Sequence, residues 1–536
     1  MMRASTLIPA LRQGLLRRGL LAFFVLAASS PMLTSATPAM PTPSAATAAR
    51  VSPPSGVWYE IFVRSWYDTD SDGIGDINGV TAKLDYLTSL GVSGIWLMPI
   101  NPSPSYHGYD VTDYEGINPQ YGTLADFRRL LREAHKRGIK VIIDLVINHT
   151  SSQHPWFLAA ADPHDPHRDW YHWADRATDL DAIGATGGPA WHQGTNGGHY
   201  LGIFSAGMPD LDYDTPAVRQ AMIGIGRFWL KQGVDGFRLD AAQHVYFDFK
   251  AQDGDLAVLQ KNLAWWSQFR HAMAAVDPAV YIVGEVTQHS AQALAPWFKS
   301  LSAVFDFPLA TQLIDSAKHE RAGQLGALLA RTDAAYRKVA GTSGVDAPFL
   351  SNHDQDRVMS QLDGNPQHMR MVAAMLLTLP GQPFVYYGEE LGMRGQKPDP
   401  DLREPMRWNR ATDATGETRW KASTTNDGPA VSVQAEQADP DSLLRYYTML
   451  IHWRSAVSAL RDGAIHQYAM ANPHIAAWQL DDVDSHVLVL HNLSGQAQSM
   501  PLGSDRFHAV LLHSKPGVTL QQGRLQMPGY ATAILQ

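Results

Sequence analysis

Eight short apolar runs, each followed by a stretch with helical spacing, constrain this chain more than any other feature. The third run, "IKVIIDLVINH" (139–149), is nearly continuous in apolar residues, as strands covered on both faces are. The others begin at Val57 ("VWYEIFVRSWY"), Gly91 ("GVSGIWLMPI"), Gly233 ("GVDGFRLDA"), Ala279 ("AVYIVGEV"), Ser302 ("SAVFDFPL"), Asp346 ("DAPFLSNHD") and Gln382 ("QPFVYYGEE"). Between them, "VTAKLDYLTSLG" places Val80, Leu84, Leu87 and Leu90 on one helical face. "TLADFRRLLREAHKRG" opens with Thr123 and Asp126 at capping-box spacing. The helix "LLRYYTMLIHWRSAVSAL" closes the series. This order predicts an α/β chain folded as a (β/α)8 TIM barrel. A doubly wound sheet is the competing architecture, and it gives no reason for polar residues to recur at successive strand ends.

Two stretches fall outside the alternation. The segment 149–216 is rich in Trp, His, Gly and Asp and too long for an ordinary barrel loop, so it reads as a small domain inserted after strand 3. The barrel then comprises 56–148 and 217–462. From 463 to 536, short alternating runs such as "IAAWQL" and "HVLVLHNL" predict an antiparallel β-domain, read as a structural cap with ligand binding as the alternative.

At the N-terminus, Arg3, Arg12, Arg17 and Arg18 precede the apolar run "GLLAFFVLAA" and a small-residue stretch. That pattern predicts a signal peptide over 1–39, followed by a disordered Pro/Ala/Ser/Thr-rich linker over 40–55. The run is short for a membrane span. An exported protein is expected, periplasmic or secreted, with an uncleaved anchor as the alternative. The net charge of −9 carries no basic block, which argues against nucleic acid and against a stable membrane partner. With no cysteine, disulfides, thiolate metal sites and thiol nucleophiles are excluded. The protein is expected to be a monomer.

Barrel chemistry collects at the C-terminal ends of the strands. There stand Asp144, Asn148 and His149 (strand 3), Arg238 and Asp240 (strand 4), Glu285 (strand 5), and His353 and Asp354 (strand 7). Three carboxylates, Asp240, Glu285 and Asp354, would converge on one mouth, where glycoside cleavage needs one ionised and one protonated acid. Arg238 lies two residues before Asp240, on the same face of its strand, and would hold it ionised. Glu285, crowded by two anions, would keep its proton. Asp144 reads as structural because its strand neighbours are apolar. The loop "DPDLREPMRW" after strand 8 offers Arg403 to the same site. The aromatic insert (Trp156, Trp170, Trp173, Trp191) reads either as part of a cleft or as a local core.

Taken in order, "DLVINH", "GFRLDAAQHV", "GEV" and "FLSNHD" resemble the four motifs of the α-amylase family of glycoside hydrolases. "MPDLDY" (Met208–Tyr213) is similar to its fifth motif, and "YHGYD" (Tyr106–Asp110) to its aromatic platform after strand 2. The resemblance implies Asp240 as nucleophile, Glu285 as acid/base and Asp354 as transition-state stabiliser. It implies sugar contacts from Arg238, His149 and His353, with Tyr109 stacking on the ring. Gln243–His244 stands where amylases often carry Lys and then His, making His244 a candidate contact on the leaving-group side. Ala241 and "YHGY" lean toward α-1,4-acting amylases, while "MPDLDY" and an acidic loop lean toward oligo-1,6-glucosidases. The implied substrate is an α-glucan or maltooligosaccharide. An α-glucosidase, a glucosyl transferase of the same family and a non-catalytic transport-accessory barrel remain alternatives.

That acidic loop is "DTDSDGIGD" (Asp68–Asp76). Asp68, Asp70, Asp72, the Ile74 carbonyl and Asp76 fall at calcium-loop positions 1, 3, 5, 7 and 9, with Gly73 at the sharp turn. Gly79 occupies the place of the usual bidentate Glu. A structural Ca²⁺ is expected here, with a solvated acidic loop as the alternative.

Overall fold

The computed structural model describes residues 56–247, 256–340, 345–426, 428, 430–503 and 506–536; the signal-peptide and linker segments expected over 1–55 lie outside them. Eight parallel strands occur in chain order around one sheet: β1 (Trp58–Ile61), β2 (Gly94–Leu97), β3 (Lys140–Leu145), β4 (Gly236–Leu239), β5 (Tyr281–Gly284), β6 (Ala303–Phe305), β7 (Val345–Ala347) and β8 (Phe384–Tyr386). β8 pairs back onto β1, with Phe384 beside Trp58. The seam between β7 and β8 is carried by two backbone bonds, Gln382 N–H to the Asp346 carbonyl (2.8 Å) and Phe384 N–H to the Pro348 carbonyl (2.9 Å). The ring of strands therefore closes.

Side chains alternate across each strand. Trp58, Trp96, Ile142, Tyr281, Val283, Phe305 and Phe384 fill the barrel interior. Trp58 stacks on Tyr281 at 4.9 Å and on Phe384 at 5.8 Å. Their neighbours Tyr59, Ile61, Ile95, Leu97, Val141 and Ile143 face outward into the larger core beneath the helices. β2 opens with Gly94 because a Cβ there would lie 2.5 Å from the Trp58 ring.

The strands are shorter than the apolar runs that predict them. The first run leaves its strand after Ile61 and makes a 3₁₀ turn over Val63–Ser65. The helix Leu124–Lys136 carries the expected capping box, Thr123 and Asp126 each bonding the other's backbone N–H. The helix expected after β1 is two, Ile77–Ala82 and Leu84–Leu90. Between them the Lys83 ammonium lies 3.9 Å from the Tyr67 ring centroid and 4.2 Å from that of Trp408. Among the described residues no helix is long and apolar enough to cross a membrane.

The insert after β3 holds a short helix, Pro155–Ala160, and the hairpin Trp191–Gln193 with His199–Leu201. Its tryptophans serve a local core. Trp156 meets Trp170 at 4.8 Å, Trp173 lies parallel to Phe157 at 6.0 Å, and Trp191 packs against Ala190, Leu201 and Ile203. At the C-terminus a five-stranded antiparallel sheet begins at Ala464, and a three-stranded sheet lies beside it. Trp478, Val489 and Ile534 join the barrel's outer core, while Leu488, Leu490 and Leu535 pack with Leu525 and Met527. The domain thus closes one side of the barrel, as a structural cap does.

Candidate active site

The C-terminal ends of the strands converge on one guanidinium. Arg238, on β4, is 1 % exposed and bonds three carboxylates. Its Nη1 donates to Asp144 Oδ1 (2.8 Å) and Oδ2 (3.0 Å) and to Asp240 Oδ1 (2.8 Å). Its Nη2 donates to Glu285 Oε2 (2.5 Å). The Ala241 N–H adds a 3.1 Å bond to the same Glu285 oxygen. Ala241 holds a left-handed backbone, φ +46°, directly after Asp240.

A second group gathers around His353. Its Nδ1 lies 2.6 Å from Glu60 Oε1, and its Nε2 lies 2.6 Å from the Tyr109 hydroxyl and 3.0 Å from Asp354 Oδ2. Tyr109 donates its hydroxyl proton to Asp144 Oδ2 (2.9 Å), which joins the two groups. The Tyr109 and His353 rings lie parallel, 5.4 Å apart. From the loop after β8, Arg403 donates through Nε to the His353 carbonyl (2.9 Å) and through Nη2 to Asp354 Oδ1 (2.8 Å) and Asp399 Oδ2 (3.1 Å). His149 is tied through Nε2 to the Tyr109 carbonyl (2.9 Å). His244, half-buried, stands beside Gln243 (3.1 Å) and edge-on to Phe204.

The charges follow from this arrangement. Burial pushes Glu285 up; Arg238 pulls it down, and Asp240 and Asp354 push with the burial. Strand spacing alone predicts that Arg238 holds Asp240 ionised. In the folded protein burial pushes Asp240 up, while Arg238, one cation divided among three anions, and His353 pull it down. Asp144, fully buried, is pushed up to about 7. It is the contact between Arg238 and Tyr109. Asp354 runs the other way: burial opposes its charge, but His353 and Arg403 outweigh it and hold the carboxyl well below the usual range. Its side chain is 42 % exposed, at the open mouth. Burial pushes His149 down to about 4, so it is neutral at pH 7.

The model of the α-amylase catalytic domain matches residues 60–463, and that of the SusG α-amylase C-terminal domain matches 475–534. The chain belongs to the α-amylase family. It is 37 % identical to α-amylase 3 of Dictyoglomus thermophilum, across 90 % of this chain and 93 % of that one. It is 33 % identical to a 4-α-glucanotransferase of Thermotoga maritima, across 82 % and 96 %. The crystal structure of an α-amylase from H. orenii superposes with a TM-score of 0.83 at 43 % identity, across 90 % and 99 %. The chain is thus a glycoside hydrolase of this family, and the transport-accessory reading falls away.

The acidic loop of the enzyme brings together three of its four aspartates. Carboxylate oxygens of Asp68, Asp70 and Asp76 lie within 4.8 Å of one another. Asp72 does not join them; its Oδ1 accepts the Ile74 N–H at 2.7 Å and so turns back onto its own loop. Asp68 accepts N–H bonds from Ser71 (2.6 Å) and Gly73 (2.8 Å), and Asp76 accepts from Thr69 and Gly79 (both 2.7 Å). Desolvation, then the charges of Asp72, Asp76 and Asp68, push the Asp70 carboxyl up. A cluster of hard oxygen donors that repel one another suits a hard cation.

Sequence reasoning missed Glu60 and Asp399. Asp399 opens the one-turn helix Asp399–Leu402, four residues before Arg403, and nothing in local spacing marks it. Glu60 carried a signal: a carboxylate inside the apolar strand "WYEIF".

Proposed function

We propose that this enzyme hydrolyses α-1,4-glucosidic bonds in starch, dextrins or maltooligosaccharides with retention of configuration. Asp240 attacks the anomeric carbon as Glu285 passes its proton to the departing glucosyl oxygen, leaving a covalent glycosyl-enzyme. Glu285 then takes a proton from the water that releases the sugar. Asp354, kept ionised by His353 and Arg403, faces the positive charge that develops on the ring. Tyr109, His149 and His353 hold that ring, Arg403 fixes Asp354, and His244 lies on the leaving-group side. The observation that carries this reading is the guanidinium shared by Asp240 and Glu285, which fixes two acids of opposite duty at one mouth.

Asp68, Asp70 and Asp76 would hold a Ca²⁺ ion that pins the loop after β1; such an ion supplies stability and no step of the reaction.

Maltoheptaose digested in an NMR tube tests the reading. New reducing ends should appear first as the α-anomer; β-anomer first would mean inversion and remove the glycosyl-enzyme. Similarity to the glucanotransferase supports a second reading, in which a sugar takes the place of water. Products longer than the substrate, formed from concentrated maltotriose, would favour it.

A further inference from the structure

Glu60 is an ionisable group to which the proposed chemistry assigns no part. It lies on β1, one inward step from Trp58 toward the mouth, and is 2 % exposed. Its Oε1 faces His353 Nδ1 at 2.6 Å. The other ring nitrogen also faces acceptors. Tyr109 has given its only hydroxyl proton to Asp144, so its oxygen is left to accept from Nε2, and Asp354 Oδ2 stands 3.0 Å from the same nitrogen. A neutral imidazole has one N–H and one lone pair, and its lone pair would have to point at an oxygen. With Glu60 and Asp144 ionised, only the doubly protonated ring satisfies both sides.

We propose that Glu60 is a positioning residue: it keeps His353 as an imidazolium, and through that ring it orients Tyr109 and keeps Asp354 charged. For its kinetic consequences this inference rests on the glycoside-cleaving reading.

The groups around His353 are Glu60 on β1, the Trp96 ring edge on β2, Tyr109 beyond β2, Asp144 on β3, Arg238 and Asp240 on and after β4, Asp354 beside it in the chain, and Arg403 on its carbonyl. Burial works against the imidazolium, but Asp354 and Glu60 outweigh it and push His353 up to about 9. Burial also pushes Glu60 up, and His353 pulls it down, so the pair gives up its proton as a unit. Below about pH 9 the pair holds its proton; above it, Nε2 turns a lone pair toward Asp354 and the Tyr109 hydroxyl is drawn away from Asp144.

The test is Glu60→Gln, which keeps an acceptor for Nδ1–H and removes the charge. The pH profile of kcat/KM reports groups in the free enzyme. Glu285, which must keep its proton, contributes to the alkaline limb of both proteins and divides out of their ratio. The ratio of variant to wild type should fall with a midpoint at least about one unit below that of wild-type His353, toward the ordinary imidazole value of about 6.5. The loss relative to wild type should be at least about tenfold larger near pH 8.5 than near pH 5.5. In a His353→Asn background, Glu60→Gln should leave the shape of the profile unchanged. An equal loss at every pH would show Glu60 to be only part of the packing. A second measurement needs neither turnover nor a Glu60 variant. In ¹⁵N-histidine NMR of the wild-type protein, the signal absent from His353→Asn should stay doubly protonated beyond about pH 8. A midpoint below about pH 7 overturns the proposal. Absence of any glucan turnover by wild type would instead remove the proposed function, and the histidine titration would still decide the charge of His353.

Discussion

Replacing Glu285 with glutamine should stabilise the enzyme while removing turnover. Both hydrogen bonds to this side chain, from Arg238 Nη2 (2.5 Å) and the Ala241 N–H (3.1 Å), end on one oxygen, Oε2. A carboxamide oxygen can accept both, so the change costs no bond and sheds one charge. That charge is unwelcome: burial, Asp240 and Asp354 together outweigh Arg238 and push the carboxyl up. An acid whose folded pKa lies above its unfolded value destabilises the fold progressively as pH rises from the unfolded value, about 4.3, through the folded one. Each unit of displacement is worth about 1.4 kcal/mol once both states are ionised. Changes that relieve tension of this kind give about 0.5–2 kcal/mol. One kcal/mol moves the Tm of a domain of 150–250 residues by roughly 2–4 °C, and a larger chain by less. Glu285→Gln should therefore raise Tm by about 1–3 °C near pH 7.5 and leave it unchanged near pH 4. Scanning calorimetry at the two pH values measures this directly. On maltooligosaccharides kcat should fall by about 10²–10⁴. On α-glucosyl fluoride, whose leaving group needs no proton, kcat/KM should fall far less, because it reports the first step alone; kcat stays limited by the attack of water, which also uses Glu285. A lower Tm near pH 7.5 would mean that Arg238 wins over burial, that Glu285 is ionised in the resting enzyme, and that it has no proton to give.

Two further perturbations probe the loop and the barrel wall. Chelation with EDTA should lower Tm, and added Ca²⁺ should restore it; an unchanged Tm, with no metal found by elemental analysis, would leave the Asp68–Asp70–Asp76 cluster as a solvated loop. Gly94→Ala should cost about 1–3 kcal/mol in a denaturant melt, because the new methyl would lie 2.5 Å from the Trp58 ring and the interior has no slack for it; an unmoved midpoint would show that the aromatic layer can shift.

What the sequence reveals of the site, and what it hides, divides along strands and loops. Strand residues obey a period of two. That rule pairs Arg238 with Asp240. Extended to every strand, the same rule separates an aromatic floor from a charged layer above it. Two residues beyond the interior Trp58 comes Glu60, beyond Ile142 comes Asp144, and beyond Val283 comes Glu285. A charge at an inward position has no water, so it must find partners in the same layer. The apolar neighbours of Asp144, which make it read as structural, are the very context that marks it, and the same holds for Glu60. Loops follow no such period. Asp72 occupies a ligand position by spacing, yet a backbone N–H two residues on captures its carboxylate. Arg403 reaches Asp354 only because its loop returns over the mouth. The charged layer is therefore predictable from strand phase alone, while the groups that cover it depend on turns whose geometry arises from contacts far apart in the chain.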